Sequence, residues 1–117
     1  MTTITRELDC AHVSSSDDGI GFQVLFNKTQ DSDEDYLLLQ RHFEPPDSGE
    51  CYVETDDRDS CGHFHIRIAQ LSRTWFRIGY GDPPMIWIRV VFKATDSDFD
   101  EVKRVLQILI PDLECVQ

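Results

Sequence analysis

The stretch Tyr-Leu-Leu-Leu-Gln-Arg at residues 36–41 constrains the fold of this chain most strongly. In an extended strand Leu37 and Leu39 point to one face, and Leu38 points to the other. Because a strand that is apolar on both faces needs cover on both, we expect it to lie centrally in a sheet. A proline-containing turn separates it from a second predicted strand at 51–55.

Acidic side chains crowd both ends of this central strand. They are Asp31, Asp33, Glu34 and Asp35 before it, and Glu44, Asp47, Glu50, Glu54, Asp56, Asp57 and Asp59 after it. Over the whole chain 22 acidic residues oppose 11 basic ones, which gives a formal net charge of −11. Such a charge repels nucleic acid and anionic membranes and favours a basic partner. The alternative is an acidic surface that serves only solubility.

The length of 117 residues predicts a single domain spanning residues 1–117. A hydrophobic content of 40%, with seven phenylalanines, excludes general disorder. No apolar run approaches the roughly 20 residues that a membrane span needs. Residues 1–7 lack the apolar core of a signal peptide, so we expect a cytoplasmic protein whose four cysteines are reduced thiols.

Alternation of apolar and polar residues predicts the remaining strands at 2–13, 20–26, 64–68, 75–78 and 85–92. The first two of these are expected to form a hairpin around a turn at 14–19. In the later strands the apolar pattern places Ile68 opposite Phe76. That register requires a three-residue loop or a bulge near residue 71.

An apolar stripe at helical spacing predicts one carboxy-terminal helix, with Asp96 or Ser97 as its cap and Pro111 after its end. The stripe consists of Phe99, Val102, Val105, Leu106 and Leu109. The predicted fold is therefore α+β, a twisted antiparallel sheet of about seven strands with the helix packed on one face. Which face it covers is open, and we assign it to the more apolar one, formed by Phe76, Ile78, Ile86, Ile88, Val90 and Phe92.

Four segments together resemble the immunity protein ten family of bacterial polymorphic toxin systems. They are Asp-Tyr-Leu-Leu-Leu-Gln-Arg at 35–41, Cys-Tyr-Val-Glu at 51–54, Ala-Gln-Leu-Ser-Arg at 69–73, and the final strand and helix. The resemblance extends from about residue 20 to residue 109. It implies a small protein without catalytic residues that neutralises a cognate toxin, often a nuclease. Segment 55–62 departs from the family pattern, so we expect it to set partner choice.

Clustered carboxylates suit an inhibitor of this kind, because they imitate phosphates and occupy a basic cleft. The sequence therefore predicts that acidic loops, with an aromatic anchor beside them, contact a cognate toxin protein, a basic nuclease domain being the expected class. The predicted contact residues are Asp31, Asp33, Glu34, Asp35, Tyr52, Glu54, Asp56, Asp57 and Asp59. Solvated loops without a partner are the alternative.

Two other groups of residues suggest different functions. Cys61, His63 and His65 alternate along a strand and form a candidate metal or ligand site, with Cys51 or an aspartate as a fourth ligand. The face that carries Arg67, Arg73, Trp75, Arg77, Trp87 and Arg89 is a candidate homodimer surface. No cofactor is expected, and no arrangement of residues predicts an enzyme.

Overall fold

The computed structural model of the chain describes residues 4–28, 35–42, 49–82 and 85–116. These residues form two five-stranded β-sheets and one α-helix, so the predicted α+β class is confirmed and the single sheet of about seven strands is wrong. The elements are β1 (Ile4–Cys10), β2 (His12–Asp17), β3 (Gly21–Asn27), β4 (Tyr36–His42), β5 (Cys51–Thr55), β6 (Gly62–Phe64), β7 (Ile66–Leu71), β8 (Trp75–Tyr80), β9 (Ile86–Phe92), α1 (Asp96–Leu109) and β10 (Glu114–Cys115). Sheet 1 has the strand order β1-β9-β8-β7-β10, and sheet 2 has the order β2-β3-β4-β5-β6.

The amino-terminal segment, predicted as one strand, divides between the two sheets. β1 pairs in parallel with β9 in sheet 1, whereas β2 pairs with β3 in sheet 2. In β1 the buried residues, Leu8 and Cys10, have even numbers. In β2 the residue that packs against the core is Val13, which has an odd number. The side chains that face the core therefore switch from even to odd positions at Ala11, and one regular strand cannot make this switch. The predicted turn at 14–19 is shorter, because β2 continues to Asp17.

Aromatic stacking joins the inner faces of the two sheets. The Phe26 ring of sheet 2 lies 5.4 Å from Phe76 and 5.3 Å from Phe92 of sheet 1. The apolar face to which we assigned the helix is buried as expected, but Phe26 shows that sheet 2 packs against it. Helix α1 contacts β2, β3 and β4 instead, and it reaches sheet 1 where Phe99 stacks on Phe92 at 6.4 Å. The helix assignment was therefore wrong.

The helix itself follows the sequence prediction closely. Thr95 is its N-cap, one residue before the predicted candidates, and its hydroxyl accepts a hydrogen bond from the Asp98 N–H at 3.2 Å. The residues of the apolar stripe from Val102 onward are buried, and Phe99 packs against the core. Within the described ranges no helix is long and apolar enough to cross a membrane.

The central strand is β4, which lies in the middle of sheet 2 as predicted. Leu37 and Leu39 are fully buried and face the core. Tyr36 and Leu38 point to the other face and are only half-buried, so the described residues cover that face less completely than predicted. As far as the described residues show, this face of the sheet is partly accessible to a partner.

The loop between β7 and β8 lies at residues 73–74, later than predicted, because the Ser72 N–H donates to the Trp75 carbonyl at 2.8 Å, and this position changes the predicted register. Leu71, rather than Ile68, lies opposite Phe76, and Ile68 pairs with Gly79. A β-bulge falls between Ile66 and Ile68, several residues before the predicted position. In the register that the loop sets, Ala69 and Leu71 enter the core, while Ile68 remains 43% exposed on the outer surface of sheet 1.

Candidate functional site

The outer face of sheet 2 is accessible and carries tyrosines around a carboxylate. Since Leu37, Leu39 and Val53 face the core, the residues between them point outward. We call this surface the tyrosine face, and it comprises Gln23, Leu25, Tyr36, Leu38, Gln40, Tyr52, Glu54 and His63. Strand pairing places Leu25, Leu38 and Glu54 in one cross-strand row, and Gln23, Gln40, Tyr52 and His63 in the next.

Two tyrosine hydroxyls hold the Glu54 carboxylate on this face. The Tyr36 hydroxyl donates to Oε2 at 2.8 Å, and the Tyr52 hydroxyl donates to Oε1 at 2.7 Å. Burial and the bond to Glu54 raise the pKa of Tyr36, and the bond to Glu54 raises the pKa of Tyr52. Both phenols therefore remain neutral donors at physiological pH. The carboxylate is fixed in one orientation and keeps lone pairs for a basic group from outside.

Apolar surface surrounds this fixed carboxylate. The Tyr52 ring packs against the His63 ring with their centroids 5.2 Å apart. Leu25 and Leu38 are half-buried, and neither belongs to the hydrophobic core. Aromatic side chains are enriched at the centres of protein interfaces, so the two tyrosines that hold this carboxylate suit contact with a partner.

The segment after β5 carries two further predicted contact residues, Asp57 and Asp59. Residues Arg58–Ser60 form a 3₁₀ turn, and the Asp57 side chain caps it by accepting the Asp59 N–H at 3.1 Å. The Asp57 carboxylate also accepts the Ser60 hydroxyl at 3.2 Å. Asp59 itself is exposed. Asp57 therefore shapes the turn, whereas Asp59 is available to a partner.

Two of the predicted contact residues form ion pairs within the chain. Arg6 of β1 binds the carboxylate of Asp56 and lies 3.2 Å from that of Asp35. The Asp35 N–H also donates to the Asp56 carboxylate at 2.9 Å. The backbone of Asp35 is left-handed, with φ of 53°. The hydrogen bond from Arg6 holds the pKa of Asp56 below its usual range. These carboxylates link the two sheets, so their prediction as free partner contacts needs correction.

The remaining predicted acidic contacts, Asp31, Asp33 and Glu34, lie outside the described residues. Of the predicted set, the structure brings Tyr52 and Glu54 together on the tyrosine face. Sequence reasoning missed Tyr36 as the second ligand of Glu54. The alternation of β4 already pointed its side chain outward, but only the pairing of β4 with β5 brings it beside Glu54.

The candidate metal residues are directed to different neighbours. The Cys61 Sγ lies 3.4 Å from the carbonyl oxygen of Thr55 and 3.3 Å from that of Asp57, whereas His63 packs on Tyr52. Across ranges 4–28, 35–42, 49–82 and 85–116, no three His, Cys, Asp or Glu side chains are grouped to hold a metal ion. All four cysteines are free thiols, and burial raises the pKa of both Cys10 and Cys51 to about 11.

The outer face of sheet 1 carries arginines stacked on tryptophans. The Arg77 guanidinium lies 4.4 Å from the Trp87 ring centroid, and that of Arg89 lies 5.5 Å from the Trp75 ring. We call this surface the arginine face, and it comprises Glu7, Ile68, Gln70, Trp75, Arg77, Trp87, Arg89, Val91 and Glu114. The other two arginines predicted for it bind carboxylates elsewhere, Arg67 with Asp82 at 3.5 Å and Arg73 with Asp96 at 2.9 Å.

A quenching experiment tests the local charge of this face. Trp75 and Trp87 are the only tryptophans of the chain, so its tryptophan fluorescence reports on the arginine face. We expect Arg77 and Arg89 to attract iodide and repel caesium in spite of the overall charge of −11. Substituting both arginines with glutamine is expected to lower the iodide-to-caesium ratio of Stern–Volmer constants about twofold at low ionic strength. An unchanged ratio would contradict a positive centre.

The described residues thus define an α+β protein with two accessible sheet faces of different chemistry, one tyrosine-rich with a central carboxylate and one with paired arginines. Comparison with protein-family models, curated proteins and solved structures finds no match. Both faces are broad surfaces rather than enclosed cavities, which is the geometry that suits contact with another macromolecule.

Proposed function

We propose that this chain is an immunity protein that binds and neutralises a cognate bacterial toxin domain, with a basic nuclease domain as the partner class. The contact is formed by the tyrosine face together with the exposed Asp59 in the turn after β5. The observation that carries the proposal is the Glu54 carboxylate, held by two phenol hydroxyls at 2.7 and 2.8 Å on an accessible sheet face. The resemblance of segments 35–41 and 51–54 to immunity protein ten supports the same class of partner.

The fixed carboxylate suits the recognition of a basic cleft. Tyr36 and Tyr52 order the Glu54 side chain before binding, so less side-chain entropy is lost when a lysine or arginine of the partner reaches it. The two tyrosine rings supply the rigid aromatic area that contributes most at interfaces. The net charge of −11 adds a long-range attraction that speeds encounter with a positively charged domain.

The acidic residues divide between two roles in this proposal. Glu54 and Asp59 contact the partner directly, whereas Asp35 and Asp56 contribute only to the overall field because Arg6 binds them. Inhibition follows from steric coverage of the nucleic-acid cleft together with a negative surface that excludes phosphates from it. No chemical step by this chain is required.

The proposal is tested by co-expression with the protein encoded immediately upstream of this chain's own gene, provided that this protein is toxic when expressed alone. The chain is expected to restore growth and to form a stable complex whose affinity falls steeply with salt. Substitution of Glu54 with glutamine is expected to weaken the complex about tenfold or more, the usual worth of a hydrogen bond to a charged group. Affinity is measured by calorimetry at two ionic strengths.

The matched control is Glu101→Gln, which removes the same charge from the exposed surface of α1. It is expected to leave affinity nearly unchanged, whereas Tyr52→Phe, which removes one hydroxyl from Glu54 and keeps the ring, gives an intermediate loss. Circular dichroism confirms that each variant is folded. Equal losses for Glu54→Gln and Glu101→Gln, or failure of the chain to protect cells, would contradict the proposal.

A further inference from the structure

The arginine face contains a row of aligned charges that crosses all five strands of sheet 1. Strand pairing places the following residues side by side in this order: Glu7, Arg89, Arg77, Gln70 and Glu114. The two ends of the row are negative and its centre carries two adjacent positive charges. A partner that matches this row has a localised negative charge at its centre and none along its sides.

The two central arginines repel each other and are only weakly compensated. Arg77 and Arg89 are directly opposite on β8 and β9, a position where like charges are destabilising. In the described part of the chain, the carboxylate that pairs with Arg89 is Glu7, at 3.8 Å, and Arg77 donates to the Gln70 amide at 3.4 Å. A carboxylate placed between the two guanidinium groups would relieve this repulsion.

Stacking on tryptophan orders both guanidinium groups for such a contact. Each lies over an indole ring, and a guanidinium group can bind a carboxylate through two parallel hydrogen bonds. Trp87 can lie close to the sheet because its neighbour on β8 is Gly79, where an added Cβ would be 2.8 Å from the ring. The platform is therefore built into the sheet before any ligand arrives.

The surroundings of this pair favour a protein over a small ligand. Ile68 and Val91 are 43% and 38% exposed on the same face, which adds aliphatic contact area. Tryptophan and arginine beside exposed aliphatic groups form the composition that is enriched in interface centres.

Charge and symmetry argue against nucleic acid and against a second copy of this chain as the partner of the arginine face. An extended polyanion such as nucleic acid would run over Glu7 or Glu114 at the ends of the row. A second copy of this chain, packed face to face, would bring arginine against arginine. Packing of the arginine face on the tyrosine face of another copy joins opposite sides of the molecule, which gives open-ended chains instead of a closed assembly.

We propose that the arginine face is a second docking site, which takes a protein partner that inserts one aspartate or glutamate carboxylate, flanked by apolar side chains, between Arg77 and Arg89. This site is separate from the tyrosine face and does not depend on the function proposed for it. The two faces belong to different sheets, so both can be occupied in one complex.

Tryptophan fluorescence measures binding at this site directly, since both tryptophans lie on it. The probe is a capped peptide with a central Leu-Glu-Leu between lysines, compared with the same peptide containing glutamine in place of glutamate. The glutamate peptide is expected to bind about tenfold more tightly, the usual worth of a charged hydrogen bond. The double variant Arg77→Gln, Arg89→Gln is expected to abolish this difference, whereas Arg67→Gln keeps it.

Four results would overturn the proposal: equal binding of both peptides, no saturable signal at millimolar concentration, an equal effect of Arg67→Gln, or tighter binding of a single-stranded oligonucleotide. Sedimentation of the free chain could give a fifth contradicting result. If the chain self-associates and the double variant does not, the arginine face binds a second copy of this chain instead of another protein. Glu54→Gln serves as the reference for the other site. It is expected to leave peptide binding unchanged, so failure here and failure of the proposed toxin contact are distinguishable.

Discussion

Substitution of Leu39 with alanine is expected to lower the free energy of unfolding by about 2–5 kcal/mol, as for other leucines in well-packed cores. Leu39 is fully buried between the two sheets, and neighbouring β3 and β5 leave the site little room to collapse. Leu38, one residue earlier, is half-buried on the tyrosine face. Its substitution with alanine is expected to cost less than about 1.5 kcal/mol, because less apolar area returns to water. Urea unfolding followed by circular dichroism measures both.

The same pair of variants separates stability from binding. Leu38→Ala removes contact area beside Glu54, so it is expected to weaken the toxin complex while the chain remains folded. Leu39→Ala is expected to reduce the amount of folded protein and leave the affinity of the folded fraction unchanged. Equal destabilisation by the two substitutions would mean that the outer face of sheet 2 is covered.

Alternation predicted that Leu37 and Leu39 share one face of the central strand and that Leu38 lies on the other. The expectation that both faces are covered was met only for the face of Leu37 and Leu39. The same argument identified the buried face of β8 and β9, from Phe76 to Phe92. Periodicity does not state which element covers a buried face. That information depends on contacts distant in sequence, such as Phe26 against Phe76, and both the second sheet and the helix position were therefore missed.

The division of the amino-terminal segment was missed for a related reason. A single residue, Ala11, separates β1 from β2, and no glycine or proline marks the break. The mismatch between turn length and apolar pattern predicted a three-residue loop or a bulge near residue 71, but the structure has a two-residue loop at 73–74 and a bulge between Ile66 and Ile68. Local sequence indicates that a register must change, whereas packing decides where it changes.

The candidate site was predicted in part. The sequence indicated Glu54 as one of the clustered carboxylates and Tyr52 as an aromatic anchor beside them, and the two side chains do share one face. Charge counting placed Asp35 and Asp56 in the same site, although a carboxylate that binds its own chain's arginine is no longer free for a partner. Arg6 is 29 residues from Asp35, and nothing in the local sequence links the two.

The two faces also show why total charge is a poor guide to local charge. The chain has a net charge of −11, yet Arg77 and Arg89 form a positive centre on sheet 1. At an ionic strength of 0.15 M charges are screened beyond about 8 Å, so a partner near this centre responds mainly to the arginines. The overall charge governs the approach of a partner, and the local row governs which group it binds.

Substitution of Arg6 with glutamine is expected to lower the free energy of unfolding by about 2 kcal/mol at pH 7, less than for a fully buried ion pair. The side chains of Arg6 and Asp56 are 27% and 21% exposed, so water screens part of their attraction. The loss arises because Asp35 and Asp56, connected by a hydrogen bond of 2.9 Å, would no longer share a positive charge. The matched control is Arg67→Gln, whose partner Asp82 is fully solvated, and its stability is expected to be unchanged.

The pH dependence of this effect follows from the lowered pKa of Asp56. Hydrogen bonding from Arg6 lowers that pKa in the folded state, so the pair stabilises the fold fully above the ordinary aspartate pKa of about 3.9. As pH falls through the lower pKa of the folded state, Asp56 takes up a proton and the contribution disappears. The difference between the native chain and Arg6→Gln is therefore expected to be constant from pH 7 to about 5 and to shrink below about 4. Urea unfolding across this range measures it, and a difference that persists at pH 2 would show that Arg6 acts through packing instead of charge.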